Sequence, residues 1–175
     1  MGIRASNFTQ SFKEGDKAEE KFRILMEERG WTCTSATFSE NCHKHIDFHL
    51  QKEDIKITVD VKGLKRKHRH GDYDYENILL EFSNVQGRRG WLRGDANLIA
   101  FECKGYFLLV DRKQLLAWSE PLIKDLDNPI VNQKGIVPYQ ARQRRGRKDV
   151  WARVPLKDIE NNLSVKYLRP NADAE

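Results

Sequence analysis

The segment from Ile55 to Lys62, with the sequence IKITVDVK, alternates apolar and polar side chains over its whole length. Successive side chains of an extended chain point to opposite faces. The four apolar residues therefore share one face of a predicted strand, whereas Asp60 and Lys62 lie together on the other. Any fold of this chain has to bury the first face and bring an acid and a lysine side by side.

The elements before this strand are a helix and two shorter strands. Apolar residues spaced three and four apart predict a helix from about Asp16 to Arg29, ended by Gly30. The segments 31–38 and 45–50 alternate as strands do. We expect 45–50 and 55–62 to form a hairpin across the polar turn 51–54.

The elements after it continue the mixture of helix and strand. Residues 76–82 read as a strand or short helix, 97–103 and 106–111 as a hairpin of buried strands, and 112–120 as a helix capped by Asp111. Residues 150–155 and 164–168 are predicted strands, joined by a short helical turn. The pattern favours an α/β (α+β) fold, with a central mixed sheet flanked by helices.

The length of 175 residues suits one domain with a single core. We expect residues 1–175 to divide into a core of about 15–120, an irregular basic segment of 125–149, and C-terminal strands within 150–169. Long irregular segments in compact domains are often functional.

Three cysteines are too few for a disulfide framework and suit a reducing compartment. The residues Cys42, His43, His45 and His49 match no standard zinc spacing. No apolar run approaches the ~20 residues needed to span a bilayer, and the first residues lack a secretory core. We therefore expect a cytoplasmic protein that does not enter a membrane.

The net charge of +5 is moderate, but the basic residues are clustered. Such clusters can neutralise several phosphates, so a polyanion is the expected partner. Solvated loops are the alternative for any one cluster taken alone. The candidate phosphate contacts are Lys65, Arg66, Lys67, Arg69, Arg88, Arg89, Arg93, Arg142, Arg144, Arg145, Arg147 and Lys148.

An acidic site is predicted where two strands meet. Asp47 and Asp60 lie on the polar faces of neighbouring predicted strands. Carboxylates that converge in this way suit Mg²⁺ or Mn²⁺, which holds a phosphate and activates a water. Lys62 would add positive charge beside them. The alternative is a solvated acid and lysine on an exposed sheet face.

These residues resemble the PD-(D/E)XK nucleases, especially the archaeal Holliday-junction resolvases. Gly15 and Glu19 match the first helix of that family, "HIDF" supplies Asp47, and "VDVK" supplies Asp60 and Lys62. The resemblance covers about residues 15–110 and implies a restriction-endonuclease-like core. The segment "LEFSNVQGRRGWLRG" is similar to phage and viral nuclease-like proteins.

The resemblance implies that Asp47, Asp60 and Glu19 bind the metal and that Lys62 positions or activates the water. Glu20 is a rival to Glu19. Two positions depart from the family pattern: Ile46 replaces the proline, and the second acid is Asp60 rather than glutamate. The expected function is a DNA endonuclease, and the resolvase branch implies branched substrates and a homodimer.

The neighbours of these residues leave several alternatives open. His45 and His49 share the predicted face of Asp47, and Glu81 and Gln86 could line the site, although ordinary positions are favoured for all four. Trp91 could stack on a base, but burial is favoured. A non-catalytic nucleic-acid-binding protein and an RNA-directed nuclease are the alternative functions, and the strand type of the substrate is open.

Overall fold

The structure is a computed structural model that describes residues 3–68 and 70–171, with side chains from Lys13 onward. Within these residues the chain forms four α-helices and ten strands in two mixed sheets, which confirms the predicted α+β class. The helices are α1 (Ile3–Glu27), α2 (Phe38–Lys44), α3 (Arg112–Ser119) and α4 (Leu156–Asn162). The strands are β1 (Thr32–Ser35), β2 (Phe48–Lys52), β3 (Ile55–Lys62), β4 (Asn77–Ser83), β5 (Leu98–Cys103), β6 (Tyr106–Asp111), β7 (Ile130–Val131), β8 (Arg142–Gln143), β9 (Val150–Pro155) and β10 (Val165–Leu168).

The larger sheet has six strands in the order β1-β2-β3-β5-β6-β10. The β2–β3 and β5–β6 hairpins are antiparallel, as predicted, whereas β3 and β5 are parallel. In the parallel register Asp60 lies beside Ile99 and Lys62 beside Phe101. Asp60 and Lys62 therefore share the sheet face of Ile99 and Phe101.

A second sheet of four strands, β4-β9-β8-β7, replaces the single central sheet that the sequence suggested. Its main pairing joins β4 to β9, which lie about seventy residues apart in the chain. Local periodicity predicts each of these strands but not which partner it takes. The basic segment 125–149 contributes the short strands β7 and β8 to this sheet, so it is only partly irregular.

Each face of the larger sheet is covered. Helix α1 packs Ala18, Phe22 and Met26 on one face, in a cluster with Val59 and Val61. The other face packs against the second sheet together with α3 and α4, in a cluster that includes Ile99, Phe101, Leu80 and Val154. Asp60 and Lys62 therefore lie on the face between the two sheets rather than on an open surface.

Helix α1 extends further than predicted, because Gly15 lies inside it rather than before it. Glycine costs about 1 kcal/mol in a helix interior, so it is a common sequence sign of a boundary. Here a Cβ atom built on Gly15 would have no neighbour within 4 Å, and α1 continues through this residue.

Helix α2 is the element that sequence analysis missed. Segment 31–38 was read as one strand, but β1 ends at Ser35 and Thr37 caps α2. The Thr37 hydroxyl accepts a bond from the Glu40 backbone, and Glu40 accepts one from the Thr37 backbone. This capping box was visible as T-x-x-E. Strand β2 consequently begins at Phe48, and Asp47 lies just before it.

None of the helices within the described residues has the length and hydropathy required to cross a membrane.

Candidate active site

The end of β3 approaches α1 closely at Gly63. A Cβ atom built on Gly63 would lie 3.3 Å from the Ala18 Cβ. The neighbouring Leu64 amide donates to Glu102, which also pairs with Lys21 of α1 at 2.7 Å. These contacts fix the turn of α1 that carries Glu19 against the carboxyl end of β3.

A cleft of about 270 Å³, here called the acidic cleft, lies at this junction. All four residues that the resemblance implied as catalytic, Glu19, Asp47, Asp60 and Lys62, line it. They come from α1, the start of β2 and the end of β3. Its other lining residues are Gly15, Asp16, Asn41, His45, Val61, Gly63 and Lys65.

Asp60 and Lys62 form a close pair at the floor of this cleft. Lys62 Nζ lies 2.5 Å from Asp60 Oδ1, and the Asp60 side chain is only 1% exposed. The second oxygen, Asp60 Oδ2, is buried and accepts no hydrogen bond from the described residues. Buried acceptors are nearly always satisfied, so this oxygen is an unusual feature.

Asp47 is held from two sides. Its Oδ2 accepts from the Val61 backbone at 2.7 Å, and its Oδ1 accepts from Asn41 Nδ2 at 2.6 Å. Strand β2 begins only at Phe48, which pairs with Val59, so no residue of β2 lies opposite Val61. Asp47 supplies the acceptor that the Val61 amide would otherwise lack. Asp47 therefore also ends the β2–β3 ladder, which is a structural role independent of any catalysis.

Glu19 and Glu20 have different environments. Glu19 is half-buried and lines the acidic cleft, whereas Glu20 is exposed and paired with Arg23 at 2.6 Å. Between the two rivals, the geometry favours Glu19 as the helix carboxylate of this cleft.

Each carboxylate in the acidic cleft makes the ionisation of its neighbouring carboxyl groups less favourable. Partial burial, together with nearby Asp47 and Asp16, raises the pKa of Glu19 to about 7, which Lys62 opposes. Burial also raises the pKa of Asp60 well above its usual value, which Lys62 opposes and Asp47 reinforces. Burial acts to lower the pKa of Lys62, but Asp60 and Asp47 outweigh it and the pKa is raised. Lys62 is thus an ammonium ion at neutral pH.

These residues fit a divalent cation. The carboxyl of Asp47 lies close enough to Asp60 to help raise the pKa of Asp60. A cation could offset the charge of both carboxylates and bind the Asp60 Oδ2 atom, which has no partner among the described residues. In the described part of the chain no group of three or more His, Cys, Asp or Glu side chains has a ready metal-binding arrangement. Mg²⁺ usually takes one or two carboxylates and completes its shell with water, so two suffice.

The two histidines are separated by the structure. His45 lines the acidic cleft, where its Nε2 lies 3.2 Å from the Arg89 carbonyl, and burial lowers its pKa. His49 is paired with Glu40 on α2 instead, with 3.2 Å between Nε2 and Oε1. Only His45 is brought to the site.

Trp91 is buried, as favoured from the sequence, and is 6% exposed. Its ring contacts Phe101 edge to face, and Lys62 Nζ lies 5.4 Å from its centre. It therefore supports the lysine through a cation–π contact rather than offering a free stacking surface. Glu81 lies on β4 near Lys62, whereas Gln86 lies in an exposed turn outside both the acidic cleft and the cleft described below.

The glycines around Trp91 explain the "GRRGWLRG" motif in packing terms. A Cβ on Gly90 would lie 2.4 Å from the Glu81 carbonyl oxygen. One on Gly94 would lie 2.9 Å from the His45 Cβ. Only glycine allows the Trp91 turn to approach both β4 and the edge of the acidic cleft so closely.

The predicted phosphate contacts divide into two groups. Five are engaged in the fold: Arg66 pairs with Glu14, Arg89 with Asp95, Arg93 with Glu120 and Arg144 with Asp149, while buried Arg142 donates to the Gln133 and Gly135 carbonyls. Six others are exposed, and their side chains make no hydrogen bond or ion pair with the residues that the structure describes: Lys65, Lys67, Arg88, Arg145, Arg147 and Lys148. Arg69 lies outside the described residues. The second group is the cationic surface available to a polyanion.

A larger cleft of about 530 Å³ opens between the two sheets beside the acidic cleft. We call it the inter-sheet cleft. It is lined by the end of β3, the loop that follows, and parts of β4, β5 and β9. This cleft is not predictable from the sequence, because it depends on the pairing of β4 with β9.

Two residues of the acidic cleft were also missed. Asn41 lies on the unpredicted helix α2, and Asp16 lies one turn before Glu19 on α1. The capping box at Thr37 predicts helix α2, and this helix carries Asn41. The i, i+3 spacing on one helix face was the available signal for Asp16.

Comparison with known proteins adds no assignment, since no family model, curated protein or solved structure matches this chain. The restriction-endonuclease-like core therefore stays a prediction, and any function has to be argued from the geometry.

Proposed function

We propose that the protein is a divalent-metal-dependent nuclease that hydrolyses phosphodiester bonds of DNA in the acidic cleft. The observation that carries the proposal is the state of Asp60. It is a buried carboxyl with one oxygen on Lys62 and the other without a donor from the part of the chain that the structure describes, next to a second carboxyl. An arrangement of this kind is costly for a fold and useful for binding a cation.

The proposed ligands are Asp60 and Asp47, with Glu19 completing the shell directly or through water. The bound cation would supply charge neutralisation at the phosphate and a more acidic water. Asn41 and the Val61 amide fix the carboxylate of Asp47, as outer partners of metal ligands commonly do.

Lys62 is proposed to act as a cation rather than as a base. Because its pKa is raised, it stays protonated and cannot take a proton from water at neutral pH. Its ammonium group instead orients the attacking water and stabilises the negative charge that develops on the phosphate. The exposed Lys65 at the mouth of the cleft would hold a flanking phosphate.

The experiment is a cleavage assay on plasmid and oligonucleotide DNA with Mg²⁺, with Mn²⁺ and with EDTA. We expect cleavage only with the metals, and its loss in Lys62→Ala. Lys56→Ala is the matched control, since Lys56 lies on the same strand but is exposed and far from the cleft. Metal-independent cleavage, or full activity in Lys62→Ala, would rule the proposal out.

A non-catalytic nucleic-acid-binding protein is the second candidate. It is favoured by the structural role of Asp47, both of whose oxygens already accept hydrogen bonds, and by the lack of a ready three-residue metal group among the described residues. This candidate predicts DNA binding that is indifferent to EDTA, with no cleavage of any substrate.

A further inference from the structure

The inter-sheet cleft is continuous with the acidic cleft. The two share Lys62, Gly63 and Lys65 as lining residues. A strand whose phosphate lies in the acidic cleft would therefore have its next nucleotide at the inter-sheet cleft. The inference drawn from this continuity rests on the proposed function.

The charge of the inter-sheet cleft favours an anion. Six Lys and Arg residues line it against four Asp and Glu residues. Three of the acids are already paired: Asp74 with Arg153, Asp149 with Arg144 and Glu102 with Lys21. Burial raises the pKa of the fourth, Glu81, so that its charge is disfavoured.

Lys65 and Lys67 supply the cations that remain available. Both line the cleft, and neither pairs with a carboxylate in the described part of the chain. Burial and the neighbouring Lys62 lower the pKa of Lys65, so Lys67 is the stronger cation of the two. They lie on the loop after β3, which is anchored where Arg153 Nη2 donates to the Arg66 carbonyl at 2.8 Å. A buried ion pair between Arg153 and Asp74 fixes the same anchor. The two lysines are thus presented on a supported loop.

Aromatic and apolar side chains form the rest of the lining. Tyr75 is 45% exposed at the rim, where Lys104 Nζ lies 5.6 Å from the centre of its ring and leaves the other ring face for a base. Half-buried Trp151 and Leu79 and buried Phe101 lie within the same cleft. An exposed aromatic ring beside free cations is the combination with which proteins bind single-stranded nucleic acid, by stacking on the base and pairing with the phosphate.

The size of the cleft selects between single-stranded and duplex occupants. Its volume of about 530 Å³ lies within the range of small-molecule sites, about 300–1,000 Å³, and admits one nucleotide. A double helix, whose major groove alone is ~12 Å wide, cannot enter it.

We propose that the inter-sheet cleft binds one unpaired nucleotide of the substrate strand, with its base against Tyr75 and its phosphate on Lys65 and Lys67. The substrate is then single-stranded DNA, or duplex DNA that is unpaired beside the cleaved bond. Fully paired DNA contacts only the outer cationic surface.

The test is fluorescence anisotropy of a labelled oligonucleotide, single-stranded or annealed to its complement, with the protein in EDTA. Tyr75→Ala is compared with Tyr167→Ala, a tyrosine of 47% exposure on β10 that lines neither cleft. Lys67→Ala is compared with Lys166→Ala in the same way. We expect Tyr75→Ala to weaken single-strand binding about five-fold or more and to leave duplex binding unchanged.

Equal affinities of Tyr75→Ala and Tyr167→Ala for the single strand would overturn the inference, as would equal losses on single strand and duplex. A second measurement separates this result from the proposed function. Cleavage with Mg²⁺ is compared on a duplex with a central unpaired region and on the fully paired duplex. Tyr75-dependent binding without any cleavage supports the cleft assignment and refutes the nuclease, whereas equal cleavage of both substrates supports the nuclease and refutes the cleft assignment.

Discussion

Replacing Asp60 by asparagine is expected to stabilise the metal-free protein while it removes cleavage. In the wild type the buried Asp60 Oδ2 has no donor among the described residues, and the carboxyl of Asp47 lies near Asp60. An asparagine at this position has nearly the same shape, and its amide can donate to Asp47. Its carbonyl can still accept from Lys62. The substitution therefore removes an unfavourable burial and keeps the packing.

The size of the effect follows from two opposing contributions. An unsatisfied buried acceptor costs about 1–3 kcal/mol, and the asparagine relieves it. Against this, Lys62 exchanges a charged acceptor for a neutral one, which is weaker by about 1 kcal/mol. The net gain is about 1 kcal/mol, or roughly 2–4 °C in Tm for a chain of this size.

The assay is thermal unfolding in EDTA at neutral pH, with Asp74→Asn as the matched control. Asp74 is as buried as Asp60, but it is fully satisfied by Arg153 and by Asn77. Removing its charge leaves the buried guanidinium of Arg153 without a carboxylate, which costs about 3–5 kcal/mol. Lys62, in contrast, keeps the carboxylate of Asp47 nearby when Asp60 is replaced. A loss of stability in Asp60→Asn comparable to that in Asp74→Asn would refute the reasoning, since Asp60 would then be an ordinary structural acid.

Three further predictions concern the supports of the site and its surface. Asn41→Ala should lower cleavage about 10- to 100-fold without unfolding the protein, because Asp47 loses an orienting donor. Thr37→Ala should lower the free energy of unfolding by about 1 kcal/mol in urea titrations, because α2 loses its N-cap. The double variant Arg145→Ala, Arg147→Ala should flatten the log–log salt dependence of DNA binding by about 2, if each contacts one phosphate.

The predictions for Asn41 and for the two arginines have internal controls. Cys42→Ala changes an exposed neighbour of Asn41 on α2 and should leave cleavage unchanged. Arg93→Ala removes a cation already paired with Glu120, so the salt dependence of DNA binding should be the same as in the wild type. Full activity in Asn41→Ala, or an unchanged salt slope in the double arginine variant, would contradict the roles assigned here.

Four residues of the acidic cleft could be predicted because their signals are local. Asp60 and Lys62 belong to one alternating strand, and Asp47 and Glu19 belong to neighbouring segments in an ordered pattern. The burial of Asp60 was not predictable from alternation. Alternation separates two faces of a strand, but here both faces are covered, one by α1 and the other by the second sheet.

The roles of the basic residues could not be predicted, because their partners are distant in the chain. Arg66 pairs with Glu14 and Arg153 with Asp74, across 52 and 79 residues respectively. A cluster of arginines in sequence gives no sign of which members are held by acids elsewhere. The second sheet depends in the same way on the β4–β9 pairing, and the inter-sheet cleft exists only because of it.

Calorimetric titration with Mn²⁺ or Mg²⁺ measures whether Asp60 and its neighbours hold a divalent cation. We expect one cation bound per chain in the wild type and in Asp54→Asn, which changes an exposed acid in the turn between β2 and β3. We expect no uptake in Asp60→Asn. Absence of uptake by the wild type, or equal uptake by Asp60→Asn, would contradict this assignment.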